Sequence, residues 1–369
     1  MRYLIVGAGF SGAVVAEQLS RDTDNEIIVM DERSHVGGNC YTERDAETDV
    51  MIHRYGPHIF HTDDKEVWEY ICRFCDMKPF INRVKTVSKG KVYSIPVNLH
   101  TINQFAGKAM NPQEARNYIE HKADKSIENP RNFEEQALKF IGRELYEAFF
   151  YGYTKKQWGC EPDMLPASIL KRLPVRFNYD DNYYDDQFQG IPAEGYTEIV
   201  NRMLDRTNIK VQLNAKFSPK MDLSGYNHVF YTGPIDEFFA YKYGRLSYRT
   251  VSFEKNVCEG DFQGNAVINY ADEEVPYTRI HEHKHFTQWE NHRKTVYFKE
   301  FSKETMPGDM PYYPKRLSED LVKLELYQKE AQDLQNVTFL GRLGTYRYMD
   351  MKDVIREAID CAKNFSRIL

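Results

Sequence analysis

The sequence predicts an α/β fold: an interrupted Rossmann-like domain with an inserted helical bundle and an antiparallel β-sheet domain. Three observations carry that prediction. The apolar run Tyr3-Leu4-Ile5-Val6 leads directly into Gly7-Ala8-Gly9-Phe10-Ser11-Gly12. A second apolar run, Ile27-Ile28-Val29-Met30, closes on Asp31. Two later runs, His228–Thr232 and Val337–Leu340, each stop at a glycine, Gly233 and Gly341. A short buried strand that ends in a tight glycine turn brings backbone close to a pyrophosphate, and the helix expected from about Ser11 to Ser20 aims its N–H groups at it. Asp31, roughly 20 residues beyond the glycines, is placed to accept hydrogen bonds from a ribose, and an acid there argues against a 2′-phosphate.

A second glycine pair follows that acid, in Arg33-Ser34-His35-Val36-Gly37-Gly38-Asn39. A nicotinamide domain has no need of such a loop, because its next unit is a crossover helix. The pattern D/E-x-R-x-x-x-G-G resembles that of flavoprotein oxidases and their relatives, in which the loop packs against FAD.

The remaining elements read in order. A helix is expected around Lys65–Cys75, then a hairpin over Val84–Val97 that turns at Lys89-Gly90. From Thr101 to Tyr153 the period becomes helical, broken at Asn111-Pro112 and Asn129-Pro130. Residues 160–192 are rich in Pro, Asp, Arg and Tyr and read as a mobile loop followed by an extended segment. Helix–strand patterning returns over Gly195–Leu213, alternating strands fill 246–301, and helix, strand and helix close the chain from Ser318. Asp350 is placed to cap the last of these, to about Asn364, and its first N–H groups would again face the cofactor. The expected division is a cofactor domain of 1–80, 193–245 and 315–369, a helical bundle of 99–165, and a sheet domain of 81–98, 166–192 and 246–314 with a lid around 166–178.

Composition narrows the function. The 369 residues carry a net charge of −6 without a basic stripe, which argues against nucleic acid as partner. No apolar stretch approaches the roughly 18 residues of a membrane span, and no leader is expected, so the chain reads as cytoplasmic. Six scattered cysteines are not a disulfide framework, and Cys72-x-x-Cys75 stands on a helix without a second such pair. His281, His283 and His285 alternate as if on one strand face, but nothing beside them completes a metal site, and no metal is expected. Tyrosine is abundant, at 26 residues, and with 22 Phe suits a pocket for flat ligands.

No nucleophile–base constellation occurs, which leaves a flavin as the reactive centre. What the chain supplies around it is aromatic and cationic: Tyr151–Gly159, Lys171–Arg176, Tyr277-Thr278-Arg279 and Pro311-Tyr312-Tyr313-Pro314. Arginines from separate segments match a diphosphate, because a guanidinium fork fits phosphate oxygens and keeps its charge.

Several strings together are specific: Gly37-Gly38-Asn39; His53-x-Tyr55-Gly56-Pro57-His58-Ile59-Phe60-His61-Thr62; Tyr153–Trp158; Arg172-x-Pro174-x-Arg176; Gln189–Pro192; and Gly341-Arg342 with Tyr346-x-Tyr348-x-Asp350-Met351. In this order, over essentially the whole chain, they resemble the bacterial UDP-galactopyranose mutases. The resemblance implies interconversion of UDP-galactopyranose and UDP-galactofuranose by covalent catalysis through reduced flavin N5, without net redox change. It also implies a homodimer and a NAD(P)H- or flavin-linked reductant. By position, Arg172 on the lid and Arg279 match the pair that grips the diphosphate. Asn82, Phe149, Phe150, Tyr153, Thr154 and Trp158 match the nucleotide side, and Tyr183, Tyr184, Tyr313, Tyr348 and Asp350 the diphosphate and sugar. His61 belongs beside the flavin, with His58 and Ile59. The cofactor set is completed by Gly7, Gly9, Phe10, Ser11, Gly12, Asp31, Glu32, Arg33, Gly38, Asn39, Gly341, Arg342, Tyr348, Asp350 and Met351. Tyr184 stands where the family commonly has Phe. Arg54 lies where the family varies, which leaves N-acetylgalactosamine substrates open. An amine-oxidase-like oxidase or desaturase shares the cofactor motifs but has no use for the arginines, and a flavin-bound scaffold or UDP-sugar-binding module would share both.

Overall fold

In a computed structural model, which describes residues 1–167, 169 and 175–368 and side chains as far as Phe365, the strand Arg2–Val6 lies at the centre of a five-stranded parallel sheet. The order across it is Ile209–Gln212, Glu26–Met30, Arg2–Val6, His228–Tyr231, Val337–Phe339. Both faces are covered, which is why these strands read as unbroken apolar runs. Tyr3, Ile5, Ile27 and Val29 pack beneath the helices Phe10–Leu19 and Met351–Ile368 through Val14, Ile355 and Ile359. Leu4, Val6, Ile28 and Met30 point the other way, onto Phe217, Val229 and Tyr231. The chain leaves Arg2–Val6 for a neighbour on one side and returns much later on the other. Such a reversal opens a crevice at the carboxyl ends of the strands, where the first glycine turn sits.

Among the described residues a seven-stranded sheet runs Tyr313–Pro314, Tyr248–Glu259, Lys294–Glu304, Arg279–Glu282, Val267–Tyr270, Val84–Ser88, Lys91–Ile95. It is antiparallel except where the predicted hairpin joins it: Val84–Ser88 pairs with Val267–Tyr270 in parallel. The bundle comprises Leu99–Ala106, Pro112–Lys122, Phe133–Tyr146 and Gly152–Trp158, the last two linked by a π turn over Glu147–Tyr151. Asn98, Asn111 and Asn132 cap the first three helices, so Asn111-Pro112 begins a helix as well as breaking the pattern.

Four local expectations change. The helix predicted to Cys75 stops at Ile71, and burial pushes the Cys75 thiol up to about 12, the mark of an inert packed sulfur. Phe188–Pro192, expected in the sheet domain, pairs instead with Phe60–Thr62 and Met77–Pro79 in a small sheet beside the cofactor domain. Strands of three residues leave too short a period to be read. The strand Arg279–Glu282 ends before His283, and a 3-10 turn over His283–Phe286 takes the three histidines off a common face. The last helix runs on to Ile368, beyond Asn364, and just before it the N–H of Asp350 is taken by Asp353 Oδ2 at 2.9 Å. No helix among the described residues is long and apolar enough to cross a membrane.

Candidate active site

A cavity of about 1840 Å³ starts at the glycine turn and runs between the parallel sheet, the seven-stranded sheet and the end of the bundle. One drug-sized ligand needs at most about 1,000 Å³. This volume therefore suits a dinucleotide and a second ligand together.

At the dinucleotide end, Gly7 has φ +107, and a Cβ there would lie 2.0 Å from Thr232 Oγ1. A Cβ on Gly12 would sit 1.9 Å from the carbonyl oxygen of Gly7, so the first helical turn closes onto the strand only with glycine. Asp31 ties the two glycine loops together, accepting from Ala8 N at 2.7 Å through Oδ2 and from Arg33 N at 2.9 Å through Oδ1. Arg33 donates to Asn39 Oδ1 at 2.7 Å and lies over the Tyr55 ring, while its Nη1 is buried without a partner among the described residues. A buried, orphaned guanidinium nitrogen beside a glycine turn fits a dinucleotide with its phosphates at that turn. Gly9, Phe10, Ser11, Glu32, Gly38, Ile59 and Met351 line the same end. Gly12 and Gly341 stand behind the lining, and the N–H of Gly341 is taken by Glu357 Oε2 at 2.7 Å.

His58 lines the cavity with its Nδ1 2.8 Å from Gly56 O. Burial, with the Arg342 charge close by, lowers its pKa to about 4, so the imidazole is neutral at pH 7. Burial likewise lowers His283 to about 3 and His228 to about 4. Unfolded histidine protonates near 6.5. Stability is then complete above that pH and falls as the pH drops from 6.5 toward 3, because the unfolded chain takes up protons that the folded one refuses. Urea titrations at pH 7 and pH 4 should differ by on the order of 3 kcal/mol or more; a flat profile between them would contradict the burial of these three rings.

The second ligand's end is built from all three units. Arg279, on a central strand of the large sheet, donates through Nε to Glu300 Oε1 at 2.8 Å. Burial opposes its charge, but the Glu300 carboxylate outweighs that and holds the guanidinium protonated. Glu300 is almost wholly buried and also accepts from Thr278 Oγ1 at 3.2 Å. The pairing engages Nε, so among the described residues the two Nη groups are left without a hydrogen-bond partner, on a residue that lines the cavity. Tyr313 and Tyr348 stack at 5.7 Å, and Arg342 lies 5.5 Å from both ring centres. Burial raises the hydroxyl pKa of Tyr313 to about 12 and pushes up those of Tyr153 and Tyr184, so all three remain protonated donors. His61 meets Asp186 through Nδ1 at 2.6 Å and stacks on Tyr184 at 3.6 Å. Asp350, Tyr183, Tyr153, Trp158 and Asn82 also line the cavity.

Some sequence expectations fall elsewhere. Phe149 and Phe150 lie in the bundle core, Phe149 against Tyr93 at 4.9 Å, and Thr154 is buried behind the lining. Arg54 is exposed and away from the cavity. Residues 168 and 170–174 of the expected lid, Arg172 among them, lie outside the described residues; Pro166 and Ile169 line the cavity. Sequence reasoning missed Glu300, Asp186, Asn269 and Gln157. The Oδ1 of Asn82, the Oδ1 of Asn269 and the Oε1 of Gln157 are buried without partners among the described residues, on three residues that line the cavity. Gln157 was signalled by its place in Tyr153–Trp158; the others had no local signal. Asp261, Glu282 and His285 come within 4.8 Å of one another. Glu282 is committed to the N–H groups of Phe262, Gln263 and Gly264, and Lys284 pairs with Asp261, which makes this cluster a loop anchor.

Comparison with known proteins gives the same picture from outside. Residues 148–348 match the family model described as UDP-galactopyranose mutase, and residues 5–74 match an NAD(P)-binding Rossmann-like domain. A Klebsiella pneumoniae protein named probable UDP-galactopyranose mutase is 54% identical over 362 residues, 98% of this chain and 94% of that one. An Escherichia coli dTDP-fucopyranose mutase is 50% identical over 368 residues, 98% of this chain and 97% of that one. A crystal structure of reduced UDP-galactopyranose mutase superposes with a TM-score of 0.75 at 14% identity, covering 100% of this chain and 94% of that one, a likeness of fold.

Proposed function

The chain belongs to the UDP-galactopyranose mutase family, and from that premise we propose that it is an isomerase interconverting UDP-galactopyranose and UDP-galactofuranose, with FAD as its cofactor in the reduced state. The observation that carries this reading is Arg279: a half-buried guanidinium anchored at Nε by Glu300, lining a cavity large enough for a dinucleotide and a second ligand.

Gly7, Gly9, Ser11, Asp31, Arg33 and Gly38 would hold the dinucleotide, with His58, Ile59, Arg342 and Met351 along its length. When bound and reduced, the flavin supplies the nucleophile for a reaction without net redox change. Everything else is asked of the protein. Arg279, with Arg172 from the lid, holds the diphosphate by charge that persists while the nucleotide is detached from the sugar. Tyr153, Trp158, Asn82 and Asn269 receive the nucleoside, backed by Phe149, Phe150 and Thr154. Tyr183, Tyr184, Tyr313, Tyr348 and Asp350 offer donors and one carboxylate to the diphosphate and sugar, and His61 stands by with an imidazole. Closure of the lid would keep water from the activated anomeric carbon. A NAD(P)H- or flavin-linked reductant and a homodimer accompany this reading through the family resemblance.

The Escherichia coli relative supports a second substrate, because a thymidine diphosphate and a fucosyl group differ from a uridine diphosphate and a galactosyl group only at the periphery. One experiment weighs both. Holoenzyme reduced with dithionite is incubated with UDP-galactopyranose, UDP-N-acetylgalactosamine or dTDP-fucopyranose, and the isomers are separated chromatographically. A new UDP-hexose isomer of equal mass, formed only by reduced enzyme and without consumption of reductant, is expected from UDP-galactopyranose. Conversion of the thymidine substrate alone would move the assignment to the second reading. Substrate oxidation coupled to flavin reduction would replace both with an oxidase.

A further inference from the structure

His61 is held by more than its own strand. Phe60–Thr62 pairs antiparallel with Phe188–Pro192, His61 opposite Gln189, and this register carries Asp186 back onto the imidazole. Asp186 Oδ2 lies 2.6 Å from His61 Nδ1, and Lys352, at the start of the last helix, donates Nζ–H to Asp186 Oδ1. The Tyr184 ring covers one face of the imidazole, with planes 13° apart. Three segments distant in sequence, around Phe60–Thr62, residues 184–192 and Lys352, thus converge on one ring that lines the cavity.

Burial works against the Asp186 carboxylate, but the hydrogen bonds from Lys352 and His61 outweigh it and hold its pKa below the ordinary value. An ionised carboxylate only accepts, so the imidazole must carry a proton on Nδ1. No described residue hydrogen-bonds Nε2, which is left as the nitrogen on the cavity side.

We propose that Asp186 is a positioning residue for the isomerisation: braced by Lys352, it locks His61 in the Nδ1–H tautomer and presents Nε2 to the sugar-bearing ligand as a hydrogen-bond and proton acceptor. The role rests on the mutase reading; the tautomer does not. Lys352 makes the arrangement testable. A lysine ammonium can only donate, so in Asp186→Asn it draws the new amide oxygen to itself and turns the amide NH2 toward His61. The imidazole must then accept at Nδ1 and move its proton to Nε2, and the acceptor in the cavity is lost.

Histidine-selective 15N NMR of the holoprotein reads the tautomer, with His61→Gln identifying the resonance and the bound-flavin spectrum reporting an intact fold. Wild type is expected to show Nδ1–H. Asp186→Asn is expected to show Nε2–H, with kcat down by at least about a hundredfold and KM little changed. Adding Lys352→Met frees the amide to rotate, and should restore both the Nδ1–H tautomer and part of kcat. Asp186→Glu, which keeps the charge, should retain the tautomer and more turnover than Asp186→Asn. An Nε2–H tautomer in wild type overturns the proposal, as does an Asp186→Asn protein whose tautomer or turnover is unchanged. Should no nucleotide sugar be isomerised by reduced wild type, the mutase reading fails while the NMR result still decides the geometry.

Discussion

Arg279→Ala should lower kcat/KM by two to four orders of magnitude while the protein still purifies with its flavin. Each charge-assisted hydrogen bond from a guanidinium Nη to phosphate contributes about 1.5–3 kcal/mol, so losing two costs roughly 3–6 kcal/mol of transition-state stabilisation. The same change strips Glu300 of its cation. That carboxylate is almost wholly buried, and breaking a buried pair destabilises by about 3–5 kcal/mol, so the single variant will also melt earlier. The two effects separate in Arg279→Ala with Glu300→Gln: stability should recover while activity does not. Arg279→Lys keeps the charge but loses the fork, and should fall between wild type and alanine. Arg172→Ala should resemble Arg279→Ala in activity and flavin content, since both arginines are assigned to the diphosphate. Near-wild-type turnover in either alanine variant would remove the assignment of that arginine to the clamp.

Gly12→Val should yield protein without flavin and with a markedly lower melting temperature. A Cβ at this position lies 1.9 Å from Gly7 O and 3.0 Å from Ile5 Cγ2. The nearer obstacle is backbone of the glycine turn and cannot rotate aside. The helix Phe10–Leu19 would have to lift off the central strand, which opens the crevice and misdirects its N-terminal N–H groups. A loss of about 3 kcal/mol is expected, measured by thermal or urea unfolding with flavin absorbance read in parallel. A valine variant that retains stoichiometric flavin would show that the turn does not need this close contact. Ala16 offers a control: buried on the same helix away from the turn, its replacement by Gly should lower stability by about 1 kcal/mol and leave the flavin in place.

The parts of the site that were legible in advance share one property: they are local. The turn Gly7–Gly12, Asp31 and the second glycine pair announce themselves because strand, turn and helix follow one another within a few residues, and the backbone chemistry of each residue type is enough. Arg279, Tyr313 and Tyr348 were legible by motif and order along the chain, and the cavity does bring them together. Phe149 and Phe150 stand next to that site in sequence, yet helical geometry turns them into the bundle core, where an aromatic residue serves equally well. Arg54, noted because the family varies there, is exposed and does not line the cavity that its neighbour Tyr55 lines.

What the amino-acid order determined without further help was the parallel sheet, its glycine crevice and the family, since apolar period, turn chemistry and spacing act over a short range. Tertiary structure alone decided who anchors whom. Glu300 stands 21 residues from Arg279, Asp186 125 residues from His61 and Lys352 166 residues from Asp186. A carboxylate's partner is set by strand register and helix packing across such distances, and no local pattern encodes that choice, because an isolated Asp or Glu looks the same whether it ends in water or against a buried cation.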